Sequence, residues 1–349
     1  MDQIWFISVL AVVMVAAIWW GYKTLPKEQW QILAVVPKGK NLHGKWNGLN
    51  LTYYGLLSAS AYAFAVVMFF ILGASAQIPI IGLCILVLAI LGVCMPASKI
   101  IARIVEKKSG TLTVGGAVFI GTLITPWLVY LANQTLGQVF HFHINATVFL
   151  SAVCVSYAYG EGLGRLACIS FGCCYGKPLN QCSPLVQKLF SHFNLVFSGK
   201  TKKIAYASGL DGEPVIPVQI ITAILYSITA LFGTWLFLNG HFSAALVESL
   251  LITQAWRFVS EFFRADFRGN QTITPYQLMS GGAVIYSAGV VFLFPAQDVL
   301  PVLKAGLSAV WTPGMILLIQ CIWVMAFVHT GTSTVTGSEL SFHVREGKI

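Results

Sequence analysis

The chain has 349 residues, 57% of them hydrophobic and only 9% charged, with a mean hydropathy of +0.77 and a net charge of +9. A soluble domain carries about 25% charged residues, so this composition excludes an ordinary water-soluble fold, and the long uninterrupted apolar runs exclude one very large buried core. The basic excess then reads as a signal of membrane topology rather than of nucleic-acid binding.

Roughly 20 apolar residues cross a bilayer as a helix. Taken in chain order, candidate spans fall near 4–20, 51–74, 77–97, 111–131, 146–170, 217–239, 243–263, 275–296 and 313–330. Backbone groups in lipid must be satisfied within the segment, so these are helices rather than strands. The predicted fold class is an all-α polytopic membrane protein with about nine transmembrane helices. Positive charge follows the first span instead of preceding it, which is unlike a cleavable signal peptide. The connections 21–50, 98–110 and 171–216 are long and polar, whereas 75–76, 132–145 and 240–242 are short or uncharged.

Alternation through these spans places 20 of the 21 lysines and arginines on one side. They lie in the three long connections (Lys108 among them), at the span ends carrying Arg165, Arg257, Arg264 and Arg268, and in the tail with Arg345 and Lys348. The other side receives Lys304 alone. Positive charge beside span ends marks the cytoplasm. The expected orientation in a bacterial inner membrane is therefore N-terminus out, C-terminus in, with the 171–216 loop cytoplasmic.

Three acidic residues fall inside the spans: Glu161, Glu248 and Glu261. An ionisable group there is costly, about 2.5–3.5 kcal/mol on insertion scales, and points to function. Glu161 precedes Arg165 by four residues, and Arg257 precedes Glu261 by four, so each pair shares a helix face. Two such helices meeting near the basic side predict a charged pocket at the headgroup layer. The planar guanidinium fork binds phosphate bidentately, so Arg165, Arg257, Arg264 and Arg268 together predict a phospholipid-headgroup site. Simple mutual neutralisation of each pair, and ordinary flanking charge for Arg264 and Arg268, are the alternatives.

The segment "GRLACISFGCCYGKP", residues 164–178, holds Cys168, Cys173 and Cys174, with Cys182 close behind. Its C-x4-C-C-x7-C spacing is not that of a zinc ribbon, and neighbouring cysteines bridge each other only with strain. A cytoplasmic face also disfavours stable disulfides. Packing, thiol chemistry with a pKa lowered by arginines, and metal or redox sensing stay open, with no metal and no cofactor as the expectation. Gly172 and Gly176 bracket Cys173 to Tyr175 and predict a loop whose N–H groups approach an anion.

In their order, six segments resemble the phosphatidylglycerol–prolipoprotein diacylglyceryl transferases. "TYYGLL" is similar to the family's W-Y-G segment (Tyr54, Gly55), and "TVGGAVFIG" to its H-G-G segment (Gly115, Gly116). "GRLACISFGCCYGKP" is similar to its signature G-R-[IL]-G-N-F-x-N-x-E-x-[WY]-G-R-P (Gly164, Arg165, Tyr175, Gly176, Pro178). "IPVQI" is similar to H-P-[ST]-Q-L (Pro217, Gln219), "AWRFVSEFFRADF" to R-x-x-x-E-x-x-R (Arg257, Glu261, Arg264), and "PYQLMSGG" to the final G-Q segment (Gln277). The resemblance covers 51–296 and implies three regions. Residues 1–50 would be an added helix and basic loop, 51–296 the transferase-like core with 171–216 inserted, and 297–349 an added helix and tail.

The resemblance also implies a reaction: transfer of a diacylglyceryl group from phosphatidylglycerol to a thiol, with release of glycerol phosphate. Arg165 and Arg257 would hold the headgroup and stabilise the leaving phosphate, while Glu261 would orient Arg257 or accept a proton. Tyr54, Gly115, Gly116, Gly172, Tyr175, Gly176, Gln219, Arg264 and Gln277 would line the donor site. The partners implied are an anionic phospholipid, an acceptor protein or small nucleophile, and the bilayer, with no nucleic acid. The departures lie on the acceptor side. Val114 and Ile216 stand where the family has histidines, Cys168 and Phe171 replace asparagines, Cys173 replaces the glutamate, and Lys177 replaces an arginine. Cys173 is thus expected to act as a nucleophile or acid/base. A cytoplasm-facing site with a non-lipoprotein acceptor, or a non-catalytic phospholipid binder, are the alternatives.

Overall fold

The structure, a computed structural model, describes residues 2–105, 107, 113–265 and 273–347. Lys108, Arg268 and Lys348 of the charge pattern lie outside the described residues. Among those described, nine long helices carry the fold: α1 (Gln3–Thr24), α2 (Tyr53–Ser75), α3 (Ile80–Val105), α4 (Val114–Gln134), α5 (Ala146–Phe171), α6 (Val218–Leu238), α7 (Phe242–Ser260), α8 (Pro275–Leu293) and α9 (Pro313–Gly331). Eight of them are long and apolar enough to cross a membrane. The chain is a predominantly helical, polytopic membrane protein. The expected seventh span differs. α7 is 19 residues long, but Glu248, Gln254 and Arg257 leave it below the apolarity of the other eight.

Local sequence sets the helix starts. Asn145 caps α5 by accepting from the Val148 N–H at 3.0 Å. Thr274 and Gln277 form a reciprocal capping box ahead of α8, which satisfies two otherwise orphaned donors. α5 is the central helix, with 78% of its apolar window buried, against 11% for α9 at the periphery. Glycines permit that central position. A Cβ on Gly160 would sit 2.8 Å from the Ala65 Cβ on α2, and one on Gly162 would sit 3.2 Å from the Tyr226 Cβ on α6. Helices in lipid associate by such close packing, because no hydrophobic drive separates protein from lipid tails. α2 and α9 approach more closely still: a Cβ on Gly55 would lie 2.0 Å from the Gly331 Cα.

Strands appear where only polar connections were expected. β1 (Ile32–Lys40) and β2 (Trp46–Thr52) form an antiparallel hairpin, and β5 (Thr332–Leu340), directly after α9, pairs with β2. Two short strands, β3 (Leu195–Val196) and β4 (Pro214–Val215), pair inside the 171–216 loop. The β2–β5 pairing puts the first polar connection and the C-terminal tail at one end of the bundle. The 171–216 loop joins them there through the Ser198 N–H, which donates to Pro26 O at 3.1 Å, and the end of α5 through the Ser170 hydroxyl, which donates to Trp30 O. The buried ammonium of Lys202 fastens this layer by donating to Ser170 O at 2.6 Å and Leu25 O at 3.2 Å. Those carbonyls belong to the C-terminal ends of α5 and α1, where a cation meets the negative pole of the helix dipole. At the opposite end, Gln3 donates to Leu238 O at 3.1 Å, and the Val302 N–H to Ser75 O at 2.8 Å. The short helix Leu303–Val310, which carries Lys304, follows there.

Candidate active site

At the basic end α5 presents Tyr157, Glu161, Arg165 and Cys168 along one stripe, at steps of four, four and three residues. α7 brings Arg257 against it. Glu161 Oε1 pairs with Arg165 one turn on and with Arg257 Nη2 at 3.3 Å. The Tyr157 hydroxyl accepts from the same Arg257 nitrogen at 3.0 Å. The Arg165, Arg257 and Glu161 side chains are only 12–14% exposed, so water screens this three-membered cluster weakly. Nε of Arg165 and Nε of Arg257 are both buried without a hydrogen-bond partner among the described residues.

The expected Arg257–Glu261 pair does not form. α7 ends at Ser260, and Glu261–Phe263 tightens into a 3-10 turn, so the four-residue step no longer shares a face. Glu261 instead meets Arg264 at 3.9 Å. Glu161, on a different helix, holds Arg257. Gly115 explains how the guanidinium fits there, because a Cβ on it would stand 3.0 Å from Arg257 Nη1 and 3.1 Å from the Tyr276 ring.

These side chains open into a cavity of about 230 Å³ between α2, α4, α5, α6 and α7. That volume is below the roughly 300–1,000 Å³ of drug-sized ligand sites, a size suited to a small polar group. Of the residues singled out in the sequence, Arg165, Arg257, Glu261 and Cys173 line it, as do Tyr54, Gly115, Gln219 and Arg264. Val114, in the place of a family histidine, is also in its wall.

The other five expected residues lie outside the wall. Gly116 packs on Ile101 and Thr113. The Tyr175 ring is buried in the core, with its hydroxyl 2.5 Å from Ser208 Oγ. Gln277 caps α8 and donates to Phe258 O at 3.0 Å, tying α8 to α7. Gly176 lies so close to Ile216 that a Cβ would meet its carbonyl oxygen at 2.3 Å. Gly172, at φ 72°, ends α5 in a Schellman motif. Its N–H donates to Ile169 O at 3.1 Å, and the Cys173 N–H to Cys168 O at 3.0 Å. The first two N–H groups of the anion-cradling loop expected from these glycines, those of Gly172 and Cys173, are therefore spent on the helix C-terminus.

That Schellman turn shapes the cysteine wall. It stacks Cys173 over Cys168, and Cys174 follows at φ 56°. Gln219 Nε2 donates to Cys173 O at 2.9 Å and holds the turn to α6. Beyond it, the Lys177 N–H donates to Phe263 O at 2.8 Å, and Gly176 bridges Arg264 in strand fashion. The cysteine turn and the Arg264 segment are thereby one unit. The thiols differ in character. Hydrogen bonds from Cys168 and Cys173, together with Arg264 and Arg165 nearby, hold Cys174 well below the usual thiol range. The same hydrogen bonding and burial hold Cys173 well above it.

Sequence reasoning assigned no site role to Tyr157, and it paired Glu161 with Arg165 alone. The four-residue step from Tyr157 to Glu161 was the available signal for the first. Nothing in a single sequence reports that a carboxylate on α5 faces an arginine on α7.

No curated protein sequence matches the chain. A family model described as prolipoprotein diacylglyceryl transferase matches residues 41–294, well over half of the 349. The chain belongs to the prolipoprotein diacylglyceryl transferase family.

Proposed function

We propose that this protein transfers a diacylglyceryl group from an anionic phospholipid, phosphatidylglycerol by family likeness, to a thiol nucleophile at the arginine-lined cavity. The observation that carries this reading is the pair of buried, unpartnered guanidinium Nε groups on two helices, both anchored by Glu161. They are pre-positioned donors for a phosphodiester oxygen. Negative charge grows on that phosphate as the carbon–oxygen bond to the diacylglyceryl group breaks, and fixed donors aimed at growing charge supply much of an enzyme's acceleration. Arg165 and Arg257 take that role. Arg264, coupled to the cysteine turn, faces the acceptor side.

The cavity opens at the end of the bundle where the basic connections gather. Positive-inside bias supports a cytoplasmic opening in a bacterial inner membrane, and hence an acceptor other than an exported lipoprotein. The replacement of both family histidines, by Val114 in the cavity wall and by buried Ile216, supports a changed acceptor step. The segments before and after the matched region, with α1 and α9, act as additions that seal this end through the β2–β5 sheet.

The test is turnover of phosphatidylglycerol vesicles by purified protein. Arg257→Lys keeps the charge and loses the fork. Loss of one such donor lowers turnover by about 10²–10³. Lipid turnover that survives in Arg257→Lys and Arg165→Lys alike contradicts the assignment. Binding of the lipid without release of glycerol phosphate favours a non-catalytic phospholipid binder.

A further inference from the structure

Three cysteines in the cavity wall have no part in holding the donor. The Sγ atoms of Cys168, Cys173 and Cys174 all lie within 4.8 Å of one another. Two features of the backbone bring them together: the Schellman turn stacks Cys173 on Cys168, and Cys174 occupies the left-handed region at φ 56°, which side chains other than glycine adopt only at a cost. Three thiolates on one zinc-sized cation, at metal–sulfur distances of ~2.3 Å, stand about 3.8–4.0 Å apart. The 4.8 Å bound on the present separations is within about 1 Å of that spacing. Cys182, grouped with them by sequence, is elsewhere and donates its S–H to Pro178 O at 3.3 Å. Among the described residues no fourth histidine, cysteine or carboxylate joins the group. A metal held here has three protein ligands and a fourth position facing the cavity, which is the pattern of catalytic rather than structural zinc sites.

Ligand chemistry selects the cation. Soft thiolates suit zinc rather than oxygen-seeking ions. A divalent ion also offsets more of three thiolates' charge than a monovalent soft ion does, and uncompensated buried charge is costly.

We propose that Cys168, Cys173 and Cys174 bind a divalent d10 cation, zinc by charge and ligand softness, and that its open position takes the sulfur of the acceptor thiol. The second half of the proposal rests on the transferase reading. The metal takes over the acceptor activation that the family's two histidines no longer give here, where Val114 and Ile216 stand in their places, because a coordinating thiol is deprotonated outright. The acceptor R–SH gives its proton to solvent on binding the metal. Its sulfur lone pair then forms the new C–S bond to the glyceryl carbon as that carbon's bond to the phosphate oxygen breaks. The electron pair of the broken bond leaves on the phosphate, so a thiolate and a phosphodiester monoanion yield a thioether and a phosphomonoester dianion.

The test is cobalt titration of the full-length reduced protein in detergent, followed by optical spectroscopy. The expected result is one Co²⁺ per chain, with thiolate-to-cobalt charge-transfer bands and intense tetrahedral visible bands. Adding a cysteine-containing peptide should shift the visible bands as its sulfur enters. Cys168→Ser and Cys174→Ser should each weaken cobalt binding by more than the roughly 10–100-fold cost of losing a supporting outer-shell partner, whereas Cys182→Ser should not. X-ray absorption of the zinc-loaded wild type, which needs no variant to fold, should show three sulfur neighbours and one lighter atom. No metal uptake by the reduced protein overturns the site, as does uptake indifferent to Cys168→Ser and Cys174→Ser. A mass-spectrometric disulfide within the trio that prevents loading even under reductant also overturns it. Visible bands unmoved by the peptide overturn the open-position half. Three-sulfur cobalt binding without glycerol phosphate release leaves the metal site standing and removes the transferase reading. Full turnover by metal-free protein does the reverse.

Discussion

Replacing Glu161 with glutamine removes the one carboxylate that anchors two arginines from different helices. Breaking a buried ion pair by deleting one partner costs about 3–5 kcal/mol, because the remaining charge stays buried. Glutamine keeps an acceptor oxygen, and Tyr157 still holds Arg257 at 3.0 Å, so the loss should fall near the lower end, ~3 kcal/mol. At roughly 2 °C per kcal/mol for a large chain, melting in neutral-lipid nanodiscs should drop by about 6 °C. The substitution also adds one positive charge to the cavity. Anionic phosphatidylglycerol should therefore raise the melting temperature of Glu161→Gln more than that of the wild type. Equal melting of the two proteins in neutral lipid, or equal gains on adding phosphatidylglycerol, would refute the shared-anchor geometry.

Other outcomes follow from particular contacts. Gly176→Ala should displace Ile216, whose carbonyl oxygen stands 2.3 Å from the new Cβ, and with it the Arg264 bridge; phosphatidylglycerol binding measured by thermal shift should be lost. Gly55→Ala, with its Cβ 2.0 Å from the Gly331 Cα, should lower the melting temperature, while Gly92→Ala, with nothing within 4 Å, should not. Burial holds Lys202 down to about 8, against about 10.4 when unfolded. Between those values the unfolded chain binds the extra proton, so stability should rise from pH 8 towards pH 10, by up to ~3 kcal/mol. Lys202→Met should abolish that rise in denaturant unfolding, and a pH dependence unchanged in the variant contradicts the assignment.

The helices were legible because lipid forces backbone self-satisfaction over long apolar runs, and the nine long helices fall where the runs do. α7 shows the limit, since a helix sheltered by α5, α6 and α8 tolerates Glu248, Gln254 and Arg257 in its length. The β1–β2–β5 sheet was not legible. β1 contains Pro37 and Gly39, and β5 reaches β2 from nearly 300 residues away in sequence. Within the site, spacing along α5 correctly joined Glu161 to Arg165. The same spacing failed for Arg257 and Glu261, because a 3-10 turn intervenes after Ser260. Gly172 reads as an anion loop in sequence and is a helix cap in space. The convergence of three sulfurs depends on that cap and on a left-handed Cys174, and C-x4-C-C spacing encodes neither.

The most direct test of the transfer reaction is to incubate the purified protein with phosphatidylglycerol and a cysteine-containing peptide, and to measure both products in the same tube. Glycerol phosphate released and diacylglyceryl thioether on the peptide, in equal amounts, are the expected result. Intact phosphatidylglycerol and unmodified peptide, from protein that still binds the lipid, would contradict it.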